Sequence, residues 1–321
     1  MLIALLVILF ASNSLVLAMD APAPSSTEIS IPKEELLNFI VQASRWNRDK
    51  LSYYEYCMKW GIECNQEPVF NFALKKWAEE AGNRADNNPF MRERLPCTLV
   101  TATKYNRIWA IEKICDCSRN VIIDSACTQK TCNNFTPLIM AAYMGHSQAV
   151  TFLLFKGATP EIIGGDDSTA LIEAIKHDKL ACTHALLAKA SPNSVMPDNS
   201  FGSVLHWALS LGNRNEHVRA LLNKGARKNL IRKQIEYEQE GTPLMVAVAH
   251  LNLDGVRILL EEKVNLKLKK TFNRGLLKQQ VGCTATEHAQ LAFEIECVPQ
   301  RKEIRRQIFE MLTHAEKAGA E

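Results

Sequence analysis

The sequence lacks the short motifs that mark common catalytic sites. It contains no G-x-S-x-G turn, no H-E-x-x-H pair, no phosphate-binding glycine loop and no dinucleotide fingerprint. The first histidine along the chain is His146, so residues 31–132 cannot form a cysteine–histidine pair by themselves. These absences argue against an enzyme built on any of these sites.

Net charge and long apolar runs are also scarce. The formal charge is only +3 over 321 residues, which by itself does not indicate a nucleic-acid partner. After residue 18, no apolar stretch approaches the length of a membrane span, which is about 20 residues. We therefore expect no membrane span in the mature chain.

The first 18 residues form an apolar run, MLIALLVILFASNSLVLA. This run and its Val-Leu-Ala ending predict a secretory signal peptide that is cleaved after Ala18, and hence an exported protein, secreted or periplasmic. No lysine or arginine precedes the apolar core, so an uncleaved membrane anchor and a buried helix remain open as alternatives. Residues 19–30 are rich in Pro and Ser and are predicted to be a disordered linker.

A phrase recurs along the chain. Residues 136–158 read TPLIMAAYMGHSQAVTFLLFKGA and residues 242–264 read TPLMVAVAHLNLDGVRILLEEKV, with weaker copies starting at Thr169 and Ser203. The starts are 33, 34 and 39 residues apart, a period that indicates a repeat architecture. In each copy a hydroxyl residue predicts the start of one short helix, and a leucine stripe follows on a second. Because one pair cannot bury its stripe alone, we predict that the pairs stack.

This pattern resembles the ankyrin repeat, whose consensus contains T-P-L-H-x-A-A, a Gly-His turn and L-L-x-x-G-A. His206 stands at the histidine position of the consensus, which implies a structural role through bonds to neighbouring backbone. Segments starting at Cys97 and Thr284 look like degraded copies. The predicted fold is all-α, an ankyrin-repeat solenoid of stacked helix-turn-helix pairs over 93–316, with repeats near 97–130, 136–165, 169–200, 203–238, 242–280 and 284–316.

Residues 31–92 read as helical but do not match the repeat. A helix is predicted from Val69 to Ala81. Residues 31–92 as a whole are the most aromatic part of the chain. We interpret the region as an N-terminal helical cap on the first repeat. A separate recognition helix pair is the alternative, and the sequence does not decide between them.

Seven of the ten cysteines fall within residues 57–132. An exported chain enters an oxidising space, so this clustering favours disulfides, although their connectivity cannot be read from sequence. A zinc site at Cys115, Cys117, Cys127 and Cys132 is disfavoured, because the C-x-C pair lacks the usual two-residue separation of ligands. No metal and no cofactor are therefore predicted, and the disulfide candidates are Cys57, Cys64, Cys115, Cys117, Cys127 and Cys132.

The family resemblance implies a protein-interaction module that binds a protein partner through its concave face and hairpin fingers. Two long connections between copies are rich in Lys and Arg, although the acids Glu236, Glu238 and Glu240 follow the first of them closely. A basic finger would speed association with an acidic partner more than it would raise the affinity. The candidate partner-binding residues are Arg227, Lys228, Arg232, Lys267, Lys269, Lys270 and Arg274.

Two further expectations concern partners and chemistry. Nucleic acid is disfavoured because almost no aromatic residues are interleaved with these cations, and a monomer is expected. The alternative function is an enzyme or thiol-dependent activity in the cysteine- and aromatic-rich residues 31–132, with the repeats as a targeting arm. Its nucleophile would be Cys57, Cys64 or Cys97, and its base would have to come from the repeats.

Overall fold

The computed structural model of the chain divides into two compact units, Met1–Cys132 and Asn133–Glu321. Fourteen helices and one two-stranded hairpin lie in the part of the chain that the structure describes. The predicted signal peptide and linker, together with Arg232 and Arg274, lie outside the described residues. The described residues are 50–81, 94–118, 122–128, 132–165, 167–194, 202–231, 241–273 and 280–319.

The first unit contains two helix pairs. Their bounds are α1 (Lys50–Glu63) with α2 (Glu67–Ala81), and α3 (Leu95–Lys104) with α4 (Ile108–Cys117). α1 packs against α3, and α2 packs against α4. The segment starting at Cys97, which looks like a degraded copy, therefore forms a helix pair. The helix predicted from Val69 begins two residues earlier, at Glu67.

Specific contacts join these two pairs. The rings of Phe70 and Trp109 meet edge-on with centroids 5.1 Å apart. The Nε of Arg107, just before α4, donates to the carbonyl of Ile62 near the end of α1 over 3.0 Å. Residues 50–81 therefore pack on the next helix pair in the way that a capping pair does.

The second unit contains five pairs, in which each first helix packs on the next first helix and each second helix on the next second helix. We call these two series the first-helix row and the second-helix row. The bounds are α5 (Pro137–Met144) and α6 (Ser147–Phe155), α7 (Ala170–Lys176) and α8 (Leu180–Leu186), α9 (Val204–Ser210) and α10 (Asn215–Asn223), α11 (Pro243–Ala249) and α12 (Leu253–Glu261), and α13 (Ala285–Ile295) and α14 (Pro299–Ala318).

The predicted hydroxyl residues cap the first helices. The side-chain oxygens of Thr136, Thr169 and Thr242 each accept a hydrogen bond from the backbone N–H three residues on, over 3.3, 3.5 and 3.4 Å. Ser203 and Thr284 form reciprocal capping boxes with the residues three positions later. Each cap satisfies a backbone donor that the first turn of a helix leaves unpaired.

The core of the second unit is a strip that runs along the stack. The small residues of the first helices and the stripe leucines of the second helices are fully buried: Ala141, Ala174, Ala208 and Ala247, and Leu153, Leu186, Leu221 and Leu259. Alanine lets neighbouring helices approach closely, while each leucine is covered by the next pair. The predicted all-α solenoid is confirmed.

A left-handed residue sets the turn between the helices of most pairs. Asn65, Asn106, Gly145, Asp178 and Leu251 have φ of 56°, 53°, 86°, 58° and 58°, and each stands two residues before a second helix. The same backbone turn therefore recurs in both units, including residues 50–81, which the repeat pattern did not cover.

The connection after α12 and the final helix add detail that the sequence prediction did not contain. The connection after α12 contains a hairpin of β1 (Lys270–Asn273) and β2 (Gln280–Cys283), in which Lys270 pairs with Cys283. The family resemblance implied a hairpin finger at a connection of this kind, but no strand bounds. α14 begins at Pro299, where proline at the first helical turn loses no backbone hydrogen bond.

We expect Leu259→Ala to lower the free energy of unfolding of the full chain by about 2–5 kcal/mol, because it opens a cavity in the strip between pairs. Leu291, which is 56% exposed, provides a matched control. Leu291→Ala should cost less than about 1 kcal/mol. Chemical denaturation of both variants measures the difference, and equal costs would contradict this assignment of the core.

Two positions after second helices allow a test of backbone strain. Gly225 has φ of 86° and open space around an added Cβ, whereas Lys263 has φ of 54°. A side chain in this left-handed region costs about 1 kcal/mol. Gly225→Ala should therefore destabilise the chain and Lys263→Gly should stabilise it by similar amounts in thermal unfolding. Shifts of the same sign would contradict this explanation.

Candidate interaction surface

Side chains join the loops that follow successive second helices. The Glu161 carboxylate accepts from the backbone N–H of Ser191 over 3.3 Å. In the next loop, the Asn193 side-chain oxygen accepts from the N–H of Arg227 over 2.7 Å. One repeat further on, the side-chain oxygen of Asn229 accepts from the N–H of Asn265 over 2.9 Å. We call this series the loop ladder, and it holds neighbouring loops in register.

The predicted basic residues divide into separate groups. Lys267, Lys269 and Arg227 are exposed, and none of the three forms an ion pair among the described residues. Lys228 instead donates to the backbone carbonyl of Glu262 and lies 3.6 Å from its carboxylate. Lys228 therefore has a structural role. The side chain of Lys270, like Arg232 and Arg274, lies outside the described residues.

The nearby acids already have partners, which explains why these cations do not. Glu261 lies 3.4 Å from Arg219, and Glu262 pairs with Lys228. Positive charge therefore remains unneutralised by described residues at this edge of the stack. The position of an acid relative to each cation is a property of the stacked repeats, so counting charges along the sequence could not separate Lys228 from Lys267.

A second feature, which the sequence reasoning missed, lies on the first-helix row. The rings of Phe135, Tyr143 and His177 form a chain of contacts, with centroids 5.7 Å apart for the first pair and 4.5 Å for the second. Tyr143 is 38% exposed, while Phe135 beneath it is buried. We call these three residues the ring array. It presents one exposed aromatic ring, that of Tyr143, which is held by its two neighbours.

A buried carboxylate lies next to the ring array. Glu173 is fully buried on α7. One of its oxygens lies 3.4 Å from the Nζ of Lys176, and the other lies 3.3 Å from the Nε2 of His177 without hydrogen-bond geometry. The Glu173 carboxylate therefore lies close to the side chains of Lys176 and His177, which are both partly exposed beside Tyr143.

A sequence signal for the ring array does exist. Tyr143, Lys176, Ser210 and Ala249 stand at the same position of their copies, and these four residue types have little in common. By contrast, the stripe of the second helix keeps a leucine in every copy. A position that varies among repeats while its neighbours stay apolar is typical of a surface rather than a core.

His206 confirms the structural role that the family resemblance implied. It is 1% exposed, and its Nε2 lies 3.3 Å from the carbonyl oxygen of Gly241 in the next connection. Because a carbonyl only accepts, Nε2 carries the proton. Nδ1 accepts from the backbone N–H of Ser203. The ring thus fastens one repeat to the next.

Another histidine forms an arrangement that superficially resembles a catalytic triad. The Nε2 of His217 lies 3.0 Å from the Asp178 carboxylate, and its Nδ1 lies 2.9 Å from the Thr183 hydroxyl. Burial lowers the pKa of His217, although its hydrogen bond to Asp178 opposes that shift. Thr183 is fully buried, so its hydroxyl cannot reach a substrate. The arrangement joins α8 to α10 and is structural.

The cysteines give no sign of an activated thiol. Burial raises the pKa of Cys117, and it raises that of Cys182 to about 11, whereas a nucleophilic cysteine needs a lowered pKa. Cys57, Cys115, Cys127 and Cys132 are buried, and Cys64 is partly exposed. Disulfides among the six candidates remain a prediction. Within the described residues, no group of three or more metal-ligating side chains comes together.

Comparison with known proteins places this architecture. A family model described as ankyrin repeats in three copies matches residues 171–272, and a single ankyrin-repeat model matches residues 133–164. Neither model is a catalytic family. The chain therefore contains an ankyrin-repeat domain. A search of curated proteins gave no match.

One solved structure shows the same fold. The ankyrin repeat domain of Bcl-3, described as a unique member of the IkappaB protein family, is 20% identical with a TM-score of 0.52, and the match covers 68% of this chain and 85% of that one. The human ASB11 ankyrin repeat domain is 21% identical with a TM-score of 0.47, covering 68% and 82%. At this identity, the similarity to the Bcl-3 domain establishes the fold alone.

The described helices bear on the expected absence of a membrane span. None of the described helices combines the length and the apolar character that crossing a bilayer requires. The leading apolar run lies outside those residues, so its assignment as a signal peptide stays a prediction.

The pKa of His217 leads to a test of its structural role. Because the folded-state pKa lies below the ordinary value of about 6.5, the unfolded chain binds more protons in mildly acidic solution. The stability contributed by neutral His217 is therefore present above about pH 6.5 and is lost as the pH falls below it. The thermal midpoint of the full chain should decrease as the pH falls below about 6.5.

His217→Gln should flatten this pH dependence, whatever its effect on the midpoint at pH 8. Leu291→Ala, at an exposed position on α13, removes no titratable group, provides the control and should leave the slope unchanged. Thermal unfolding of the three proteins across the pH series gives the comparison. Parallel curves for wild type and His217→Gln would show that His217 does not titrate as proposed.

Proposed function

We propose that this chain is a protein-interaction module, and that its Asn133–Glu321 unit binds a protein partner through the first-helix row and the basic loops beside it. The observation that carries the proposal is the ring array, in which the exposed ring of Tyr143 is supported by Phe135 and His177. In the ankyrin family the corresponding helices line the concave face.

The ring array has the properties of a binding hot spot. Tyrosine is enriched at protein interfaces because it supplies a large contact area and a polar tip. Contacts with Phe135 and His177 already hold the Tyr143 ring. Little side-chain entropy is then lost on binding. Met144 next to it and Lys176 on the neighbouring helix extend the exposed surface.

The enzyme alternative has less support. Of its three candidate nucleophiles, Cys57 and Cys97 are only 2% exposed. The first unit contains no histidine that could serve as a base, because the histidines begin at His146. Both matching family models describe repeats in the second unit. We also propose, from the leading apolar run alone, that the chain is exported after cleavage behind Ala18.

Crosslinked affinity capture with the full chain tests the binding role. A partner retained by the wild-type chain should bind the Tyr143→Ala/His177→Ala variant at least about tenfold more weakly, because hot-spot truncation costs about 2 kcal/mol or more. Phe155→Ala is the matched control, since Phe155 is 79% exposed on the second-helix row, and it should retain the partner. The proposal fails if the wild-type chain retains no protein, or if the double variant retains the same proteins equally well.

A further inference from the structure

Five exposed cations lie on two adjacent loops of the second unit. We call this set the basic edge: Lys224, Arg227, Lys263, Lys267 and Lys269. All five are exposed, and none forms an ion pair among the described residues. The sequence identified three of them as candidates. Only the stacking shows that the five cations share one edge, whereas Lys228 is paired with Glu262.

The backbone that carries the basic edge is fixed in place. Asn193 accepts from the N–H of Arg227 over 2.7 Å, and Asn265 accepts from the N–H of Lys267 over 3.0 Å. Asn229 joins the two loops through the N–H of Asn265. The spacing between the backbones of the two loops is therefore set before any ligand arrives, which lowers the cost of binding.

The helix dipoles divide the five cations further. Lys224 caps the C-terminus of α10, and Lys263 follows the last residue of α12 by two positions. The negative ends of these helices offset part of the charge of both lysines, and this effect fades beyond the last turn. Arg227, Lys267 and Lys269 lie past that turn. These three residues should therefore dominate attraction of an anion.

We infer that the basic edge binds a short, extended acidic segment of the protein partner, an inference that rests on the proposed function. Stacked helix pairs lie about 8–10 Å apart, and an extended chain advances about 3.3 Å per residue. Carboxylates three residues apart along a peptide would therefore meet cations on both loops. Charge complementarity of this kind steers association and selects partners.

Nucleic acid fits the same surface less well. Neither described loop, Lys224–Ile231 or Lys263–Lys269, contains an aromatic residue. Single-stranded nucleic acid is usually held by bases that stack on aromatic rings beside the basic groove. A peptide carboxylate needs only the cations and the exposed backbone around them.

Fluorescence anisotropy with the full chain and a labelled oligoglutamate peptide tests the inference. The peptide should bind in low salt and weaken as salt is added, because exposed charges are screened. Lys267→Glu/Lys269→Glu should weaken binding by about tenfold, since exposed charge pairs each contribute up to about 1 kcal/mol. The control, Arg301→Glu/Lys317→Glu, makes the same change in net charge at two exposed positions on α14 and should weaken it less than about twofold.

Three outcomes would overturn the inference: no binding of oligoglutamate by the wild-type chain, equal loss in the two double variants, or binding of a labelled single-stranded oligonucleotide as tight as that of the peptide. Circular dichroism of the variants checks that they fold. A captured partner that depends on Tyr143 would still support the proposed function if oligoglutamate failed to bind. Conversely, capture of no partner would reject the proposed function whatever the peptide did.

Discussion

Burial of each helix pair against its neighbours is the interaction on which the second unit depends. A single pair of helices, each of about two turns, exposes its leucine stripe on one side, and isolated helices of this length are marginal in water. Stacking covers Leu153, Leu186, Leu221 and Leu259 completely. The core is therefore a strip rather than a centre, and every repeat depends on the ones beside it.

A strip-shaped core leaves long edges free, and two of those edges carry the proposed binding surfaces. Polar side chains reach from one repeat to the next at fixed positions. Arg214 donates to the carbonyl of Ile175 over 2.8 Å, and Asn252 donates to that of Leu209 over 3.1 Å. Such bonds satisfy carbonyls at helix ends. They also make the edges rigid, so that the ring array and the basic edge are presented in set positions.

Much of the fold could be predicted because its determinants are local. A threonine before a helix caps it through a bond three residues away, as Thr136 does. Gly157 and Gly225 stand at the G-A ending of the consensus, and their φ values are 100° and 86°. The hairpin of β1 and β2 could be expected only from the family resemblance, because its pairing joins residues across a connection that has no alternating apolar pattern.

The sequence by itself determined the repeat period, the helix starts and the apolar stripes, because these depend on residues within one turn or one helix of each other. It also indicated which loops are basic. Only the tertiary structure decided which cations are free of acidic partners, and that Tyr143 and His177 meet on one surface. Both facts depend on distances between repeats about 35 residues apart in sequence, and stacking brings those residues into contact.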